Sequence, residues 1–309
     1  MSYRERMTDR SRWVDLDGPT HYLDYGGPAE GPVVVAVHGL GGSAVNWSAL
    51  APLLTQRCRI VAPDLAGHGL TRSLGRGTRV AANRALLHRF VERITDTPVI
   101  LMGNSMGGMI SLLEAAAEPD AVAGLILVDP ALPIVPSRPD PVVTALFAAY
   151  ATPGLARLLM RRRAALTPER MVAETLALCC VDPARIPAEV LDEHVELARK
   201  RAGFADVGED FLAAARSVVA TAGYVRGSRY RRGIRTVEAP VLLVHGERDR
   251  LVPLAAARAA AAANPGWSFV TLPDAGHVPQ LELPRETARA VLDWLDGAGR
   301  PAAKAAGRG

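Results

Sequence analysis

The chain has 309 residues, of which 49% are hydrophobic, 22% charged and 5% aromatic, with 28 glycines and 23 prolines. This composition excludes a disordered chain, a collagen-like repeat and a disulfide-stapled miniprotein, and the length allows one large domain or two modest ones. The formal net charge of +4 raises the question of nucleic acid or an anionic membrane as a partner.

The position of the charges answers that question. Residues 1–12 sum to +2 and residues 297–309 to +3, so residues 13–296 carry a net charge of −1. We predict that 1–12 and 297–309 are flexible basic tails. We therefore expect no nucleic-acid partner.

Cysteine content and hydropathy indicate the compartment. The three cysteines, Cys58, Cys179 and Cys180, form no C-x-x-C pair, so neither a disulfide framework nor a zinc site is predicted. The amino-terminal residues are polar, unlike a signal peptide. The longest apolar runs are far shorter than the roughly 20 residues of a spanning helix. We expect a cytoplasmic protein without a transmembrane segment.

Short apolar runs alternate with helical stretches along the chain. Predicted strands cover residues 22–25 (an early edge strand), 33–37, 59–62, 99–102, 124–128, 241–244 and 267–272. Predicted helices cover residues 79–93, 106–117, 254–263 and 284–295. Most of the strand runs are continuously apolar, as in parallel strands that are covered on both faces. The order predicts an α/β fold with a mostly parallel central sheet flanked by helices.

One segment, residues 133–236, interrupts this alternation. It contains helical pattern and repeated prolines but no convincing strand. Its net charge is +5, against −6 for residues 13–130 and 237–296 together. We predict that 133–236 is a helical cap inserted into a core formed by 13–132 and 237–296.

The sharpest local signal is the sequence GNSMGG at residues 103–108. It follows a predicted strand and opens a predicted helix, which is the context that G-x-S-x-G needs to be a nucleophile elbow. Gly103 and Gly107 would leave room for a strained turn, and Ser105 would lie at the positive end of the helix. Ser105 is the predicted nucleophile.

A serine nucleophile needs a base and an acid that orients the base. Asp249 and His277 each follow a predicted strand, at the edge where open α/β sheets bind ligands. The order Ser105, Asp249, His277 is that of the α/β-hydrolases. Asp129, at the end of another strand, is the alternative acid.

A glycine-rich turn, HGLGG at 38–42, follows the strand 33–37. It would let a backbone amide approach a substrate oxygen. The amides of Leu40 and Met106 are the candidates for an oxyanion hole, in which one donor is worth roughly 3 kcal/mol in the transition state.

These stretches resemble the capped α/β-hydrolases, a group that includes esterases, lipases, lactonases and meta-cleavage-product hydrolases. The matching segments also include DLAGHGLTRS at 64–73, PVLLVHGERDRLVP at 240–253 and DAGHVPQLELP at 274–284. The resemblance implies a catalytic triad of Ser105, Asp249 and His277, oxyanion-hole amides at Leu40 and Met106, and a cap at 133–236.

The motifs also separate the activities within that family. A serine at position 105 argues against dehalogenases and epoxide hydrolases, which need a carboxylate there. GNSMGG resembles the elbow of meta-cleavage-product hydrolases, which cleave carbon–carbon bonds. However, those enzymes usually have a tryptophan where this chain has Val278.

Other polar residues near the motifs have simpler explanations. His38 and His68 are expected to pack in their loops, with a catalytic role as the alternative. His245 is expected to be structural and Glu247 to be solvated, with support of the catalytic residues as the alternative for Glu247. The run Arg161, Arg162, Arg163 is predicted to be a solvated helix face, with recognition of an acidic substrate as the alternative.

The sequence thus predicts a serine hydrolase that cleaves a carboxylic ester or related acyl compound without a metal or cofactor. Apolar stretches in the cap indicate a moderately apolar small-molecule substrate. The alternatives are a carbon–carbon bond hydrolase and, in a different class, a non-hydrolytic receptor or lyase on the same scaffold. The oligomeric state is not predicted.

Overall fold

The computed structural model describes residues 9–135, 140–223 and 228–297. Most of both predicted tails, residues 1–8 and 298–309, lies outside the described residues. The described strands form one eight-stranded sheet in the order β1-β2-β4-β3-β5-β6-β7-β8. β1 and β2 pair antiparallel, as do β2 and β4, and the remaining neighbours are parallel. The predicted mostly parallel α/β sheet is confirmed.

The strands are β1 (Ser11–Asp15), β2 (Pro19–Gly26), β3 (Val33–Val37), β4 (Arg59–Pro63), β5 (Val99–Asn104), β6 (Val122–Val128), β7 (Val241–Gly246) and β8 (Ser268–Leu272). Every strand predicted from an apolar run is present. The prediction that 22–25 is an edge strand is wrong, because β2 has a partner on both sides and β1 forms the edge. Ser11 and Arg12, assigned by sequence to the amino-terminal tail, belong to β1.

The helices are α1 (Ala51–Leu54), α2 (Val80–Ile94), α3 (Met106–Ala117), α4 (Pro141–Ala151), α5 (Pro153–Ala164), α6 (Pro168–Cys179), α7 (Ala188–Arg201), α8 (Val207–Ala222), α9 (Arg229–Arg235), α10 (Leu254–Ala263), α11 (Pro279–Glu282) and α12 (Pro284–Asp296). Short 3₁₀ turns cover Ala44–Trp47, Pro119–Ala121 and Pro183–Arg185. All four helices predicted outside the inserted segment are present.

Alternation along the central strands produces two hydrophobic cores, one on each face of the sheet. In β3, Val35 and Val37 belong to one core, whereas Val34 and Ala36 belong to the other. Successive side chains of a strand point to opposite faces. A strand that is covered on both faces must therefore be apolar throughout, as these are.

Helices cover both faces of the sheet. One core includes side chains from α2, α3 and α10, and the other includes side chains from α1 and α12. The sheet therefore lies between two helical layers. Such a sheet leaves its two strand edges and the ends of its strands open to loops.

The chain between β6 and β7 forms the inserted segment, described at residues 129–135, 140–223 and 228–240. Within those ranges its regular elements are all helical, from α4 to α9. Its helices contribute residues to two small hydrophobic clusters, which also involve Val278, Leu281 and Leu40 from outside the segment. Helices α8 and α9 also contribute side chains to one of the two large cores. The segment therefore packs as a helical unit beside the sheet.

Candidate active site

The turn at Ser105 has the strained backbone that its surroundings require. Ser105 lies between β5 and α3 with φ 53° and ψ −117°. A non-glycine residue at positive φ is uncommon and marks a constrained site. A Cβ added to Gly103 would lie 2.6 Å from the backbone of Gly107, and one added to Gly107 would lie 2.1 Å from the carbonyl oxygen of Val37. Both positions need glycine because backbone atoms fill the space.

Hydrogen bonds hold this turn at the ends of two strands. The Ser105 amide donates to the Val128 carbonyl at 3.2 Å, and the Ser105 carbonyl accepts from Met109 at 3.1 Å and Ala131 at 2.9 Å. Ser105 is partly exposed, although Asn104 and Met106 on either side are buried. The serine side chain therefore lies at the amino end of α3 with an accessible surface.

His277 and Asp249 form a buried pair. His277 Nδ1 lies 2.7 Å from Asp249 Oδ2, and the side chains are 4% and 0% exposed. Asp249 Oδ1 accepts from the amides of Leu251 at 2.7 Å and Val252 at 3.1 Å. Burial alone would raise the pKa of Asp249, but the charge and hydrogen bond of His277 outweigh burial and lower it. Asp249 is thus an ionised acceptor for the imidazole.

Two contacts place the loop of His277. Asn104 Nδ2, next to Ser105, donates to the His277 carbonyl and to the Val128 carbonyl, each at 3.0 Å. The His277 amide donates to the carbonyl of Cys179 in the inserted segment at 2.6 Å. The histidine loop is therefore tied both to the serine turn and to the inserted segment.

Glu282 strengthens that connection. Glu282 is 1% exposed. Its carboxylate accepts hydrogen bonds from the amides of Gly276 at 2.9 Å and Asp182 at 2.7 Å. Sequence reasoning missed Glu282, Asn104 and Cys179, because their role depends on contacts between segments far apart in the chain. The motif DAGHVPQLELP contains Glu282 but does not show its partners.

Asp129, the alternative acid, lies close to this pair but does not bind His277. Its Oδ1 accepts from the Gly246 amide at 2.9 Å, and its buried Oδ2 has no hydrogen-bond partner among the described residues. Burial and the neighbouring charge of Asp249 raise the pKa of Asp129 well above its ordinary value. Of the two carboxyl groups, the one with the lowered pKa faces His277, and the one with the raised pKa lies beside it.

His245 completes this buried group. Its Nε2 donates to the Val252 carbonyl at 3.0 Å, and burial lowers its pKa. Ligand atoms of Asp129, His245 and Asp249 all lie within 4.8 Å of one another. However, Asp249 already accepts three hydrogen bonds and His245 Nε2 holds a proton. These hydrogen bonds fit a hydrogen-bonded cluster better than they fit a metal site.

The glycine-rich loop 38–42 lies against Ser105. A Cβ added to Gly39 would lie 3.1 Å from the Ser105 Cβ, so the loop backbone passes close to the serine. The amides of Leu40 and Met106 donate no hydrogen bond to the described residues. Free amides beside a serine are the donors that an oxyanion hole requires.

The loop histidines are occupied by packing hydrogen bonds. His38 Nδ1 donates to the Gly39 carbonyl at 2.8 Å, and its Nε2 accepts from the Leu65 amide at 3.1 Å. His68 Nδ1 donates to the Ala66 carbonyl at 3.0 Å. Burial lowers the pKa of His38 and lowers that of His68 to about 3. Both rings are therefore neutral and support the loops.

A second serine–histidine–aspartate chain lies near β1 and was missed by sequence reasoning. Ser11 Oγ is 2.8 Å from His21 Nε2, and His21 Nδ1 is 2.7 Å from Asp64 Oδ2. Asp64 also accepts from the amides of Ala44 and Leu70, each at 2.7 Å. Ser11 lies within an edge strand and not at a strained turn before a helix. The connectivity alone therefore does not identify a nucleophile.

The hydrogen bonds of the remaining predicted polar residues do not involve the serine turn. Glu247 accepts from Thr271 on the exposed surface. Arg161 and Arg162 are exposed, whereas Arg163 is partly buried and donates to Thr175 at 3.0 Å.

Comparisons with known proteins agree with this geometry. The profile of the alpha/beta hydrolase family matches residues 34–290. The chain is 30% identical over 275 residues to a pimeloyl-[acyl-carrier protein] methyl ester esterase of Aromatoleum aromaticum, covering 86% of this chain and 99% of that one.

Two further comparisons show the range of the relatives. The chain is 28% identical over 300 residues to a 2-hydroxy-6-oxo-6-(2'-aminophenyl)hexa-2,4-dienoic acid hydrolase of Metapseudomonas resinovorans, covering 92% of this chain and 90% of that one. It is also similar to the crystal structure of a bacterial membrane phospholipase A, with a TM-score of 0.75 and 26% identity over 96% of this chain and 91% of that one. The chain belongs to the alpha/beta hydrolase family.

Proposed function

We propose that this protein is a serine hydrolase that cleaves a carboxylic ester through an acyl-enzyme on Ser105. The observation that carries the proposal is the buried hydrogen bond of His277 to Asp249, in a loop tied by Asn104 to the strained turn of Ser105. An imidazole that is oriented by a carboxylate, in a loop bonded to the turn of a partly exposed serine at a helix amino end, is the arrangement that acyl transfer needs.

The chemistry follows from the groups present. His277 Nε2 takes the proton of Ser105 as Oγ attacks the ester carbonyl, and the amides of Leu40 and Met106 stabilise the oxyanion. The intermediate collapses, and the leaving alkoxide receives the proton from His277. Water then gives a proton to the same nitrogen and attacks the acyl-enzyme, which releases the acid and returns the proton to Ser105.

We further propose that the inserted segment acts as a cap that selects an apolar substrate. Phe211 of α8 lies 3.0 Å from the position of a Cβ on Gly41, and it stacks edge-on against Tyr150 of α4 at 5.3 Å. Leu40 packs against the same cluster. Aromatic and aliphatic surface over the loop beside Ser105 favours an apolar acyl or alcohol group.

A second candidate is hydrolysis of a carbon–carbon bond. It is favoured by the similarity to the hexadienoic acid hydrolase of Metapseudomonas resinovorans, and it would use the same serine and histidine. Assays of p-nitrophenyl esters beside a ring-fission dienoate distinguish the two. Turnover of the dienoate alone would replace the ester proposal by this one.

The nucleophile is tested with a fluorophosphonate probe, which labels activated serines. Wild type is expected to be labelled and Ser105→Ala is not. Ser11→Ala is the matched control because Ser11 also contacts a histidine–aspartate pair, and it should be labelled like wild type. Absence of labelling in the folded wild type would favour a binding protein or lyase. If Ser105→Ala is still labelled and the labelling is lost when Ser11→Ala is added, the nucleophile is Ser11 and not Ser105.

A further inference from the structure

Two consecutive helices of the inserted segment, α4 and α5, present apolar side chains on both of their faces. On the inner face, Tyr150 and Ala156 are buried, and Phe147 and Met160 pack against the same cluster as Leu40. This face therefore covers the loop beside Ser105. The inner packing accounts for only part of the apolar content of these helices.

The outer face exposes large aliphatic side chains. Val142 is 58% exposed, Leu155 44% and Leu158 46%. Leu155, Leu158 and Arg162 are separated by three and four residues, so they share one side of α5. That side differs from the one on which the buried Ala156 faces the cluster. Exposed aliphatic groups concentrated on one helix side indicate a contact surface.

The charge of this helix pair has one sign. Residues 141–164 contain four arginines and no acidic residue. Arg157, Arg161 and Arg162 are exposed, and none of them has an ion-pair partner among residues 9–135, 140–223 and 228–297. An uncompensated cationic surface attracts an anionic partner.

The composition of the pair matches that of helices that lie on a membrane surface. No single helix of the described chain is long and apolar enough to span a bilayer, and α4 and α5 reach that length only together, with a bend of 108° between them. Interfacial helices bury aliphatic side chains at the headgroup boundary and direct arginines to anionic headgroups. α5 has both components on its exposed side.

We propose that the outer face of α4 and α5 docks on an anionic lipid surface, so that a lipid acyl ester reaches Ser105 from beneath the same two helices. The occupant is a lipid surface because the patch combines leucines with unpaired arginines, whereas an apolar contact between two copies would place like charges together. Docking is independent of catalysis. The delivery of a lipid ester rests on the proposed function and extends its substrate class.

Binding is measured by co-sedimentation of the full chain carrying Ser105→Ala with vesicles of phosphatidylcholine and phosphatidylglycerol, or of phosphatidylcholine alone. We expect binding to the anionic vesicles that weakens at high salt. Arg161→Gln with Arg162→Gln should weaken binding about 25-fold, at about fivefold per arginine. Leu155→Ser with Leu158→Ser should weaken it at least about tenfold.

Matched controls separate this face from general charge and hydrophobicity. Arg258→Gln with Arg289→Gln removes two exposed charges from the core helices, and Arg300→Gln with Lys304→Gln removes two from the basic carboxyl-terminal region. Both variants should bind the anionic vesicles within about twofold of the parent chain. If either variant loses as much binding as Arg161→Gln with Arg162→Gln does, the proposal is overturned.

Two additional measurements distinguish other outcomes. Self-association in sedimentation velocity that the leucine pair abolishes, without vesicle binding, would assign the face to a protein contact and reject the lipid surface. In the active chain, the leucine pair should keep turnover of a short soluble ester and lose turnover of a vesicle-embedded ester. Vesicle binding without turnover of either ester would leave docking supported and reject only the proposed hydrolase function.

Discussion

Replacing either of the two buried carboxyl groups at the end of the sheet by an amide should affect catalysis very differently. Asp249→Asn and Asp129→Asn each replace one carboxyl oxygen by an NH₂ group of nearly equal size. In the first case the new amide keeps the hydrogen bonds from Leu251 and Val252 at Oδ1. Its NH₂ group then takes the position of Oδ2, 2.7 Å from His277 Nδ1.

Two N–H donors cannot face each other at that distance. His277 must therefore carry its proton on Nε2 and present a lone pair at Nδ1, and in that tautomer it cannot accept the Ser105 proton. A wrong tautomer of this kind lowers kcat about 10⁴-fold, which corresponds to about 5.4 kcal/mol of transition-state stabilisation.

Asp129→Asn leaves the reacting groups in place. The raised pKa of Asp129 favours the protonated form of its carboxyl group, and an amide can preserve both the acceptor toward Gly246 and a donor in place of the acid proton. We expect kcat within about threefold of wild type, a change of less than about 1 kcal/mol.

The assay is steady-state hydrolysis of a p-nitrophenyl ester, with urea unfolding to verify that each variant is folded. The reasoning is refuted if Asp129→Asn loses activity by orders of magnitude while Asp249→Asn retains it. Comparable losses in both variants would show that the pair acts as one unit and would contradict the separate role that the raised pKa gives Asp129.

The remaining predictions concern stability. The pKa of buried His68 is about 3, below its ordinary value, so the unfolded chain binds this proton first and stability falls as the pH decreases from about 6.5 toward 3. Between pH 7.5 and pH 4.5, His68 should lower the free energy of unfolding by about 2.7 kcal/mol. In urea unfolding, His68→Gln should therefore lose correspondingly less stability over this pH range than wild type. An equal loss of stability in both proteins would contradict the lowered pKa of His68. Gly107→Ala should unfold the chain or abolish activity, because its Cβ would lie 2.1 Å from the Val37 carbonyl oxygen. Gly266→Ala, with no atom within 4 Å, should change the unfolding free energy by less than about 1 kcal/mol, and similar effects of the two would contradict the steric reasoning.

Much of the fold could be predicted because burial on both faces imposes a local pattern. The central strands are continuously apolar, so their existence was readable from short runs such as 33–37. β1 was not, because it forms an exposed edge in which Trp13 is 55% exposed, and no buried face constrains its pattern. The error over the edge position of 22–25 has the same origin, since strand neighbours are set by pairing between segments distant in the chain.

The candidate site also has one part that the local sequence predicts and another that depends on contacts between distant segments. The small residues around Ser105 are dictated by a turn of a few residues, so the local sequence was enough to find it. The choice between Asp129 and Asp249 was not local, because both follow strands. Only the folded chain shows which carboxyl group reaches His277, and that the other has its pKa raised by burial and by its neighbour.

By itself, the sequence determined the α/β order, the strained serine turn and the order of Ser105, Asp249 and His277, since each depends on neighbouring residues and the period of the backbone. The tertiary structure decided the hydrogen bonds of Asn104, Cys179 and Glu282 that hold the histidine loop. It also decided which surface carries the arginines and leucines of α5, because the sequence located a net charge of +5 in residues 133–236 but not the exposed face on which those side chains lie. Contacts and shared surfaces depend on distances between remote segments, and those distances exist only once the chain has folded.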